Sequence, residues 1–156
     1  MKALIIIDVQ EAFVGRRRKE AAYQKVMANI NAAAEQFRQS DAPVIVVRDI
    51  SEGNGSGYDN VLELVVEPTD IEVLKIYNNS FWKTDLDSML RSMNVDKVLL
   101  CGNAAEFCVT ATYFGAKERG YIPYILQDGV LAETEAGLAE METVRPMLPK
   151  EKIPSL

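Results

Sequence analysis

The feature that most constrains the fold of this chain is a series of short, almost wholly apolar runs separated by longer amphipathic stretches. Ala3–Ile7 is apolar throughout and rich in β-branched residues, as expected for a strand covered on both faces. Residues 20–39 carry apolar side chains at three- and four-residue spacing, which indicates an amphipathic helix. The other predicted strands are Pro43–Arg48, Ile71–Lys75, Lys97–Cys101 and Tyr121–Gln127, and the other predicted helices span residues 84–93, 106–119 and 134–144.

This alternation predicts an α/β fold, a doubly wound and mostly parallel β-sheet with helices on both faces in a Rossmann-like three-layer arrangement. Residues 1–156 are expected to form a single domain, and the proline-rich end leaves little room for a full last helix and strand. Ligands of such sheets bind outside the carboxyl ends of the strands. Asp8 follows the first strand, Lys75 ends the third and Cys108 lies just beyond the fourth. The architecture therefore allows these three side chains to converge.

Composition narrows the choice of partner. The net charge of −6 argues against nucleic acid or an anionic membrane surface as the main partner. No apolar run approaches the roughly 20 residues of a membrane span, and the first strand lacks the features of a signal peptide. We therefore expect a cytoplasmic protein whose two cysteines, Cys101 and Cys108, are reduced thiols.

The chain contains no histidine. This excludes cysteine–histidine proteases, Ser-His-Asp hydrolases and zinc sites built on histidine. A free thiol has a pKa of about 8.5 and only the thiolate attacks, so a catalytic Cys108 needs an activator other than imidazole. Without such an activator, a cysteine on an apolar element is usually a small core residue, which is our interpretation of Cys101.

Three segments carry a family resemblance. They are Leu4–Phe13 (LIIIDVQEAF), Lys75–Leu86 (KIYNNSFWKTDL) and Gly102–Val109 (GNAAEFCV). Together they resemble the isochorismatase-like cysteine hydrolases, a superfamily that includes nicotinamidases and N-carbamoylsarcosine amidohydrolases. The resemblance runs from about residue 3 to residue 128, with the segments in the family's order.

The resemblance implies a catalytic triad of Asp8, Lys75 and Cys108. Asp8 would be the general base, and Lys75 would hold the carboxylate and thiol together and lower the thiol pKa. A cis peptide would join Asn103 to Ala104, and the N–H groups of Ala104 and Cys108 would stabilise an oxyanion.

The implied activity is hydrolysis of a small-molecule amide through a thioester, without a cofactor. The metal of the nicotinamidases is held by histidines and an aspartate, so no metal site is expected here. Phe13 and Trp82 are the candidate walls for a planar substrate. A homo-oligomer is the expected assembly.

The sequence leaves several alternatives open. Lys83 competes with Lys75 for the middle role, but Lys75 ends an apolar strand where an unpaired charge is harder to tolerate. The chain could be an inactive binding or assembly domain that retains the fold. It could also be a thiol-redox sensor using Cys101 and Cys108, although no C-x-x-C motif is present.

Overall fold

The computed structural model describes residues 1–156 and contains one six-stranded sheet in which every paired strand is parallel. The spatial order of the strands is β3-β2-β1-β4-β5-β6. This confirms the predicted doubly wound α/β fold. The strands are β1 (Lys2–Ile7), β2 (Val44–Asp49), β3 (Ile71–Lys75), β4 (Lys97–Asn103), β5 (Ile122–Leu131) and β6 (Met147–Leu148).

Five α-helices accompany the sheet: α1 (Glu11–Val14), α2 (Ala21–Gln39), α3 (Leu86–Ser92), α4 (Thr110–Glu118) and α5 (Glu135–Val144). A five-residue π-helical turn, Ala105–Val109, leads directly into α4. Thr134 caps α5 by accepting a hydrogen bond from the Gly137 N–H at 2.9 Å. None of these helices is long and apolar enough to cross a membrane.

Both faces of the sheet are covered, as the continuous apolar strands predict. Along β1, Leu4 and Ile6 belong to a core cluster that includes the buried face of α2. Ala3, Ile5 and Ile7 point the other way, into a cluster built with α3, α4 and α5. Because side chains alternate along a strand, one short sequence supplies both cores.

Strand β1 pairs with β2 on one side and with β4 on the other, so the chain order of the strands changes direction between β1 and β4. A crevice forms at such a point, beyond the carboxyl ends of β1 and β4. Gly102 has a φ of +113°, and a Cβ at this position would collide with the backbone carbonyl of Ile7. Glycine therefore lets β4 run close beside the last residue of β1, next to Asp8.

The C-terminal part differs from the sequence prediction. Strand β5 continues past Gln127 to Leu131, with a shift in its register against β4 between Leu100 and Gly102. The proline-rich end, expected to leave little room for a last strand, forms the two-residue β6 and a 3-10 turn, Lys150–Ser155. A short edge strand tolerates neighbouring prolines because few of its N–H groups must pair.

Candidate active site

The Lys75 side chain lies at the centre of a buried polar cluster. Its Nζ is 2.8 Å from Asp8 Oδ2, 2.9 Å from Asp49 Oδ2 and 3.4 Å from Cys108 Sγ. Lys75 is 2% exposed and Asp8 is equally buried. The structure thus brings together the three residues that the sequence places at strand ends, and it adds a fourth, Asp49.

Each member of the cluster is presented by the end of a different element. Asp8 directly follows β1 and has a φ of +53°, a left-handed conformation that aspartate adopts more readily than most residues. Lys75 is the last residue of β3. Cys108 is the fourth residue of the π-helical turn, in keeping with the frequent use of such turns at functional sites. Its thiol also donates to Asn78 Oδ1 at 3.6 Å.

Asp49, at the end of β2, is the site residue that the sequence analysis missed. Its backbone is fixed by the Gln10 side chain, which donates to the Asp49 carbonyl at 2.9 Å and accepts from the Asp49 N–H at 2.7 Å. The Ser51 N–H donates to Asp49 Oδ1 at 2.8 Å, leaving Oδ2 for Lys75. Its position at a strand end, the property that singled out Asp8 and Lys75, could have identified it.

The two carboxylates keep Lys75 charged. Burial alone would lower the pKa of Lys75, but the negative charges around it, first that of Asp8, raise this pKa above its ordinary value. Burial would likewise raise the pKa of Asp49, but hydrogen bonds from Ser51 and Lys75 hold it below its usual range. Lys75 and Asp49 are therefore both ionised at neutral pH.

Asp8 and Cys108 shift in the other direction. Burial raises the pKa of Asp8, against the opposing charge of Lys75. Burial, with the negative charge of Asp8, raises the pKa of the Cys108 thiol to about 12, although Lys75 acts to lower it. Lys75 thus acts on the thiol pKa in the expected direction, but a neighbouring carboxylate and a poorly hydrated setting outweigh one ammonium group, so the net shift is upward.

A cavity of about 300 Å³ opens above the cluster. Asp8, Asp49 and Cys108 line it, together with Phe13, Asn103 and Ala104. The peptide bond between Asn103 and Ala104 is cis. Within the cavity wall, Asp8 Oδ1 and Asn103 Oδ1 are buried acceptors that have no hydrogen-bond partner in the protein.

The two aromatic residues expected at the site differ in position. Phe13 lines the cavity and packs edge-on against Tyr58, with ring centroids 6.2 Å apart. Trp82 does not line the cavity and is 52% exposed. The neighbouring Phe81 occupies the core position in this turn and leaves Trp82 at the surface, so this placement does not support the role of Trp82 as a substrate wall, which stays a prediction.

The positions of the two lysines and of the two cysteines in the structure bear on two of the alternatives left open by the sequence. Lys83 is exposed and lies over the Tyr77 ring, 5.4 Å from its centroid, whereas Lys75 is buried between carboxylates. Cys101 is fully buried in the cluster with α2, whereas Cys108 packs against the cluster on the opposite face. The sheet separates the two thiols, so they do not form a redox pair.

Asp8, Asp49 and Cys108 offer potential metal ligands that lie within 4.8 Å of one another. The Lys75 ammonium already bridges the two carboxylates. A divalent ion held by both would have to displace a buried cation that their charge stabilises. The donor set therefore fits a lysine-bridged carboxylate pair better than a metal centre.

A family model and a curated relative match most of this chain. The family model described as "Isochorismatase domain" matches residues 2–148. The isochorismatase family protein YrdC of Bacillus subtilis (strain 168) is 30% identical over 138 residues, which cover 84% of this chain and 74% of YrdC.

Two solved structures show the same fold. N-carbamoylsarcosine amidase from Thermoplasma acidophilum superposes with a TM-score of 0.86 at 24% identity, covering 97% of this chain and 98% of that one. Pyrazinamidase of Pyrococcus horikoshii, in complex with zinc, gives a TM-score of 0.81 at 24% identity and covers 95% and 98% of the two chains.

Proposed function

This chain belongs to the isochorismatase family and is a hydrolase of that family, and we propose that it is a cysteine-dependent amidohydrolase of small molecules. The observation that carries the proposal is the contact of one buried ammonium, Lys75 Nζ, with Asp8 at 2.8 Å and with Cys108 at 3.4 Å. A base and a nucleophile then line one cavity, and a buried charge bridges them from below. The amidase structures with the same fold support the choice of a C–N bond.

In the acylation step, Cys108 Sγ attacks the amide carbonyl carbon while its proton passes to Asp8. The thiol pKa of about 12 means that the resting thiol is protonated. Burial makes Asp8 a stronger base than an ordinary carboxylate, because its pKa is raised, and this suits it to take the proton as the sulfur attacks. The reaction therefore needs no pre-formed thiolate, because the general base removes the thiol proton during the attack.

Collapse of the tetrahedral intermediate breaks the C–N bond. The Asp8 proton goes to the departing nitrogen, ammonia or an amine leaves, and the acyl group remains on Cys108 as a thioester. Water then attacks the thioester carbonyl, giving one proton to Asp8, which returns it to the sulfur as the carboxylic acid is released. The net reaction consumes one water for each amide bond cleaved.

The protein's own charges and dipoles would support the intermediate. The Ala104 and Cys108 residues both line the cavity, and their backbone N–H groups are the proposed donors to the oxyanion. Lys75 stays cationic throughout because its pKa is raised, so it stabilises negative charge as that charge moves between Asp8 and the sulfur. Asp49 holds the ammonium in place from the side of β2.

The size of the cavity limits the substrate. About 300 Å³ is at the lower end of the range for ligand sites, so the cavity accepts a small molecule rather than a peptide chain. Phe13 would supply an apolar wall beside the acyl group.

The test is release of ammonia from a panel of small primary amides by the purified protein. We expect Cys108→Ala to abolish release and Cys101→Ala, in the core on the other face of the sheet, to retain it. Rapid quenching followed by intact mass spectrometry should detect an acyl adduct on Cys108. Turnover that continues unchanged in Cys108→Ala would refute the proposal. Absence of turnover of every amide by the wild-type protein would favour the inactive binding domain.

A further inference from the structure

We infer that the cavity selects a substrate whose acyl part is cationic or rich in N–H donors and rejects one that carries a carboxylate. This selectivity rests on the proposed amidohydrolase function, because the ligand of the cavity is a substrate only if the protein hydrolyses it. It depends on the charges around the cavity and on one unpartnered amide side chain within it.

The charge at the cavity is predominantly negative. Four carboxylates line it, those of Asp8, Asp49, Glu52 and Glu133. Arg16 is the one cation in the lining, and its Nη2 lies 3.7 Å from Glu133 Oε2. Lys75 adds a second positive charge from below, but it is shared between Asp8 and Asp49.

Glu52 is the carboxylate without a compensating cation. It makes none of the ion pairs of the chain, and it lies in the loop that follows β2, next to Ser51, whose N–H binds Asp49. An anionic acyl group entering the cavity would therefore face Glu52 at the mouth and the carboxylates beneath it. A cationic group would be attracted by the same charges.

Asn103 provides an independent indication of the ligand's chemistry. This last residue of β4 lines the cavity and is 9% exposed, yet its Oδ1 accepts no hydrogen bond from the protein. A buried acceptor without a partner is costly, and a ligand N–H would remove that cost. The position therefore favours an ammonium or amide N–H on the substrate over a second carboxylate, which would offer only acceptors.

Arg16 is the feature that could reverse this preference. If it released Glu133, its guanidinium would offer an anion two parallel donors. It is strongly exposed and partnered, however, whereas Asn103 is buried and unpartnered. We therefore assign the selectivity to Asn103 and Glu52, and an anion preference is the outcome that would overturn the inference.

The first experiment measures the charge of the cavity without requiring turnover. Cys108 is modified with the 2-(trimethylammonium)ethyl and the 2-sulfonatoethyl methanethiosulfonates, which differ in charge but share one reaction. The thiolate attacks the sulfenyl sulfur, a mixed disulfide forms and methanesulfinate leaves. Each rate is divided by the rate for a free peptide thiol, and peptide mapping assigns the adduct to Cys108. Because both rates depend equally on the thiol pKa, their ratio reports the local potential.

We expect the normalised ratio of the cationic to the anionic reagent's rate to be about ten at low salt and to fall towards one as salt is added. Glu52→Gln should reduce the ratio by about threefold, as expected for one charge several ångströms away in partly screened solvent. Glu118→Gln, an equal change of charge at the exposed end of α4, should leave it unchanged. A ratio of one or less, or equal effects of the two substitutions, would overturn the inference.

The second experiment uses three primary amides of similar size: β-alaninamide (cationic), butyramide (neutral) and succinamate (anionic). We expect kcat/KM to fall in that order. Asn103→Leu should lower kcat/KM for β-alaninamide about tenfold more than for butyramide, because only the former places an ammonium beside Oδ1. Asn103→Asp, which preserves the shape, should increase the preference for the cation.

The two failures are distinguishable. A preference for succinamate, or an equal effect of Asn103→Leu on both other amides, overturns the selectivity while leaving the amidohydrolase intact. The expected ratio of modification rates together with no turnover of any amide refutes the proposed hydrolysis, and the assignment of a substrate with it. The negative potential of the cavity would then stand as a property of a binding site.

Discussion

Lys75 and Asp49 form a buried ion pair, with 2.9 Å between Nζ and Oδ2, beside the pair that Lys75 makes with Asp8. The second pair changes what the lysine can do. With Asp8 alone, the ammonium would be neutralised by the general base itself. With Asp49 present, Lys75 retains a partner while Asp8 is protonated in each turnover of the proposed mechanism. In that mechanism Asp49 is a positioning residue for the charge of Lys75.

The first prediction concerns Asp49→Asn. Loss of this carboxylate should lower the pKa of Lys75 and let its side chain shift, reducing kcat/KM by up to about 100-fold. The high-pH limb of the rate profile should move to lower pH, because the raised pKa of Lys75 depends on the negative charges around it. The measurement is kcat/KM against pH for the best amide found.

The same substitution, Asp49→Asn, should also change the free energy of unfolding in a pH-dependent way. The pKa of Asp49 is below its ordinary value of 3.8 in the folded protein, so its contribution is present above that pH and is lost as pH falls through the folded value. Asp49→Asn should therefore cost about 1 to 3 kcal/mol near neutral pH and less in acid. Asp128→Asn is the control, since Asp128 pairs with Lys25 at 2.9 Å on the surface. Equal losses in both variants would contradict the role given to Asp49.

The second prediction separates the two lysines. Lys75→Met keeps the length of the side chain but removes its charge, leaving Asp8 and Asp49 without a shared cation. We expect kcat to fall about 100-fold or more, with a protein that unfolds at lower denaturant. Lys83→Met changes an exposed side chain over Tyr77 and should have little effect on either quantity. Comparable losses of activity in the two variants would be inconsistent with Lys75 as the bridging charge.

The third prediction follows from the sign of the effect of Asp8 on the thiol. Because the negative charge of Asp8 helps raise the Cys108 pKa to about 12, Asp8→Asn should lower that pKa and speed alkylation by iodoacetamide at pH 8 to 9. The same substitution should reduce kcat by about 100-fold or more, since the proton acceptor is gone. In the wild type, kcat/KM should rise as Asp8 ionises, at a pH above its ordinary 3.8.

Asp41→Asn is the matched control for this prediction. Asp41 has the same φ of +53° as Asp8 but is exposed, so it reproduces the backbone requirement without the chemistry. It should change neither alkylation nor turnover. Slower alkylation in Asp8→Asn, or turnover close to that of the wild type, would rule out the assigned role.

The fourth prediction concerns the close approach of β4 to β1. Gly102→Ala should cost about 2 to 5 kcal/mol, because alanine is disfavoured at a φ of +113° and its Cβ would collide with the Ile7 carbonyl. Activity should also fall, since Asp8 directly follows Ile7. Denaturant unfolding and kcat/KM measure the two effects.

Gly120→Ala serves as the comparison, because Gly120 has a φ of +87° but nothing lies within 4 Å of the position that a Cβ would occupy. It should show only the conformational cost of about 1 to 2 kcal/mol and full activity. If the two glycine variants were equally stable, the collision with Ile7 would not be a determinant of the fold.

Several elements could be read from the sequence because their cause is local. The apolar run Ala3–Ile7 can bury both faces only in a covered sheet, and residues 20–39 can bury one face only as a helix. The predicted bounds of β3 agree with the structure, Ile71–Lys75. The placement of Asp8, Lys75 and Cys108 at strand ends followed from the same patterns.

Trp82 and Asp49 show where local reasoning stops. Trp82 lies in the expected segment, but Phe81 and not Trp82 turns into the core, a choice set by packing against Tyr121, whose ring centroid is 5.6 Å away. The strand-end position of Asp49 is visible in the sequence, but its contact with Lys75, 26 residues further along the chain, is not. Neither contact has a signature in the spacing of residues.

The sequence by itself determined the kind of fold, the absence of imidazole chemistry and the set of groups that could replace it. Only the tertiary structure decided how those groups affect one another. The pKa of Cys108 is raised because burial and the charge of Asp8 together outweigh Lys75, and each of these depends on distances across the sheet. Electrostatic interactions depend on separation and hydration in space, which the order of residues along the chain does not specify.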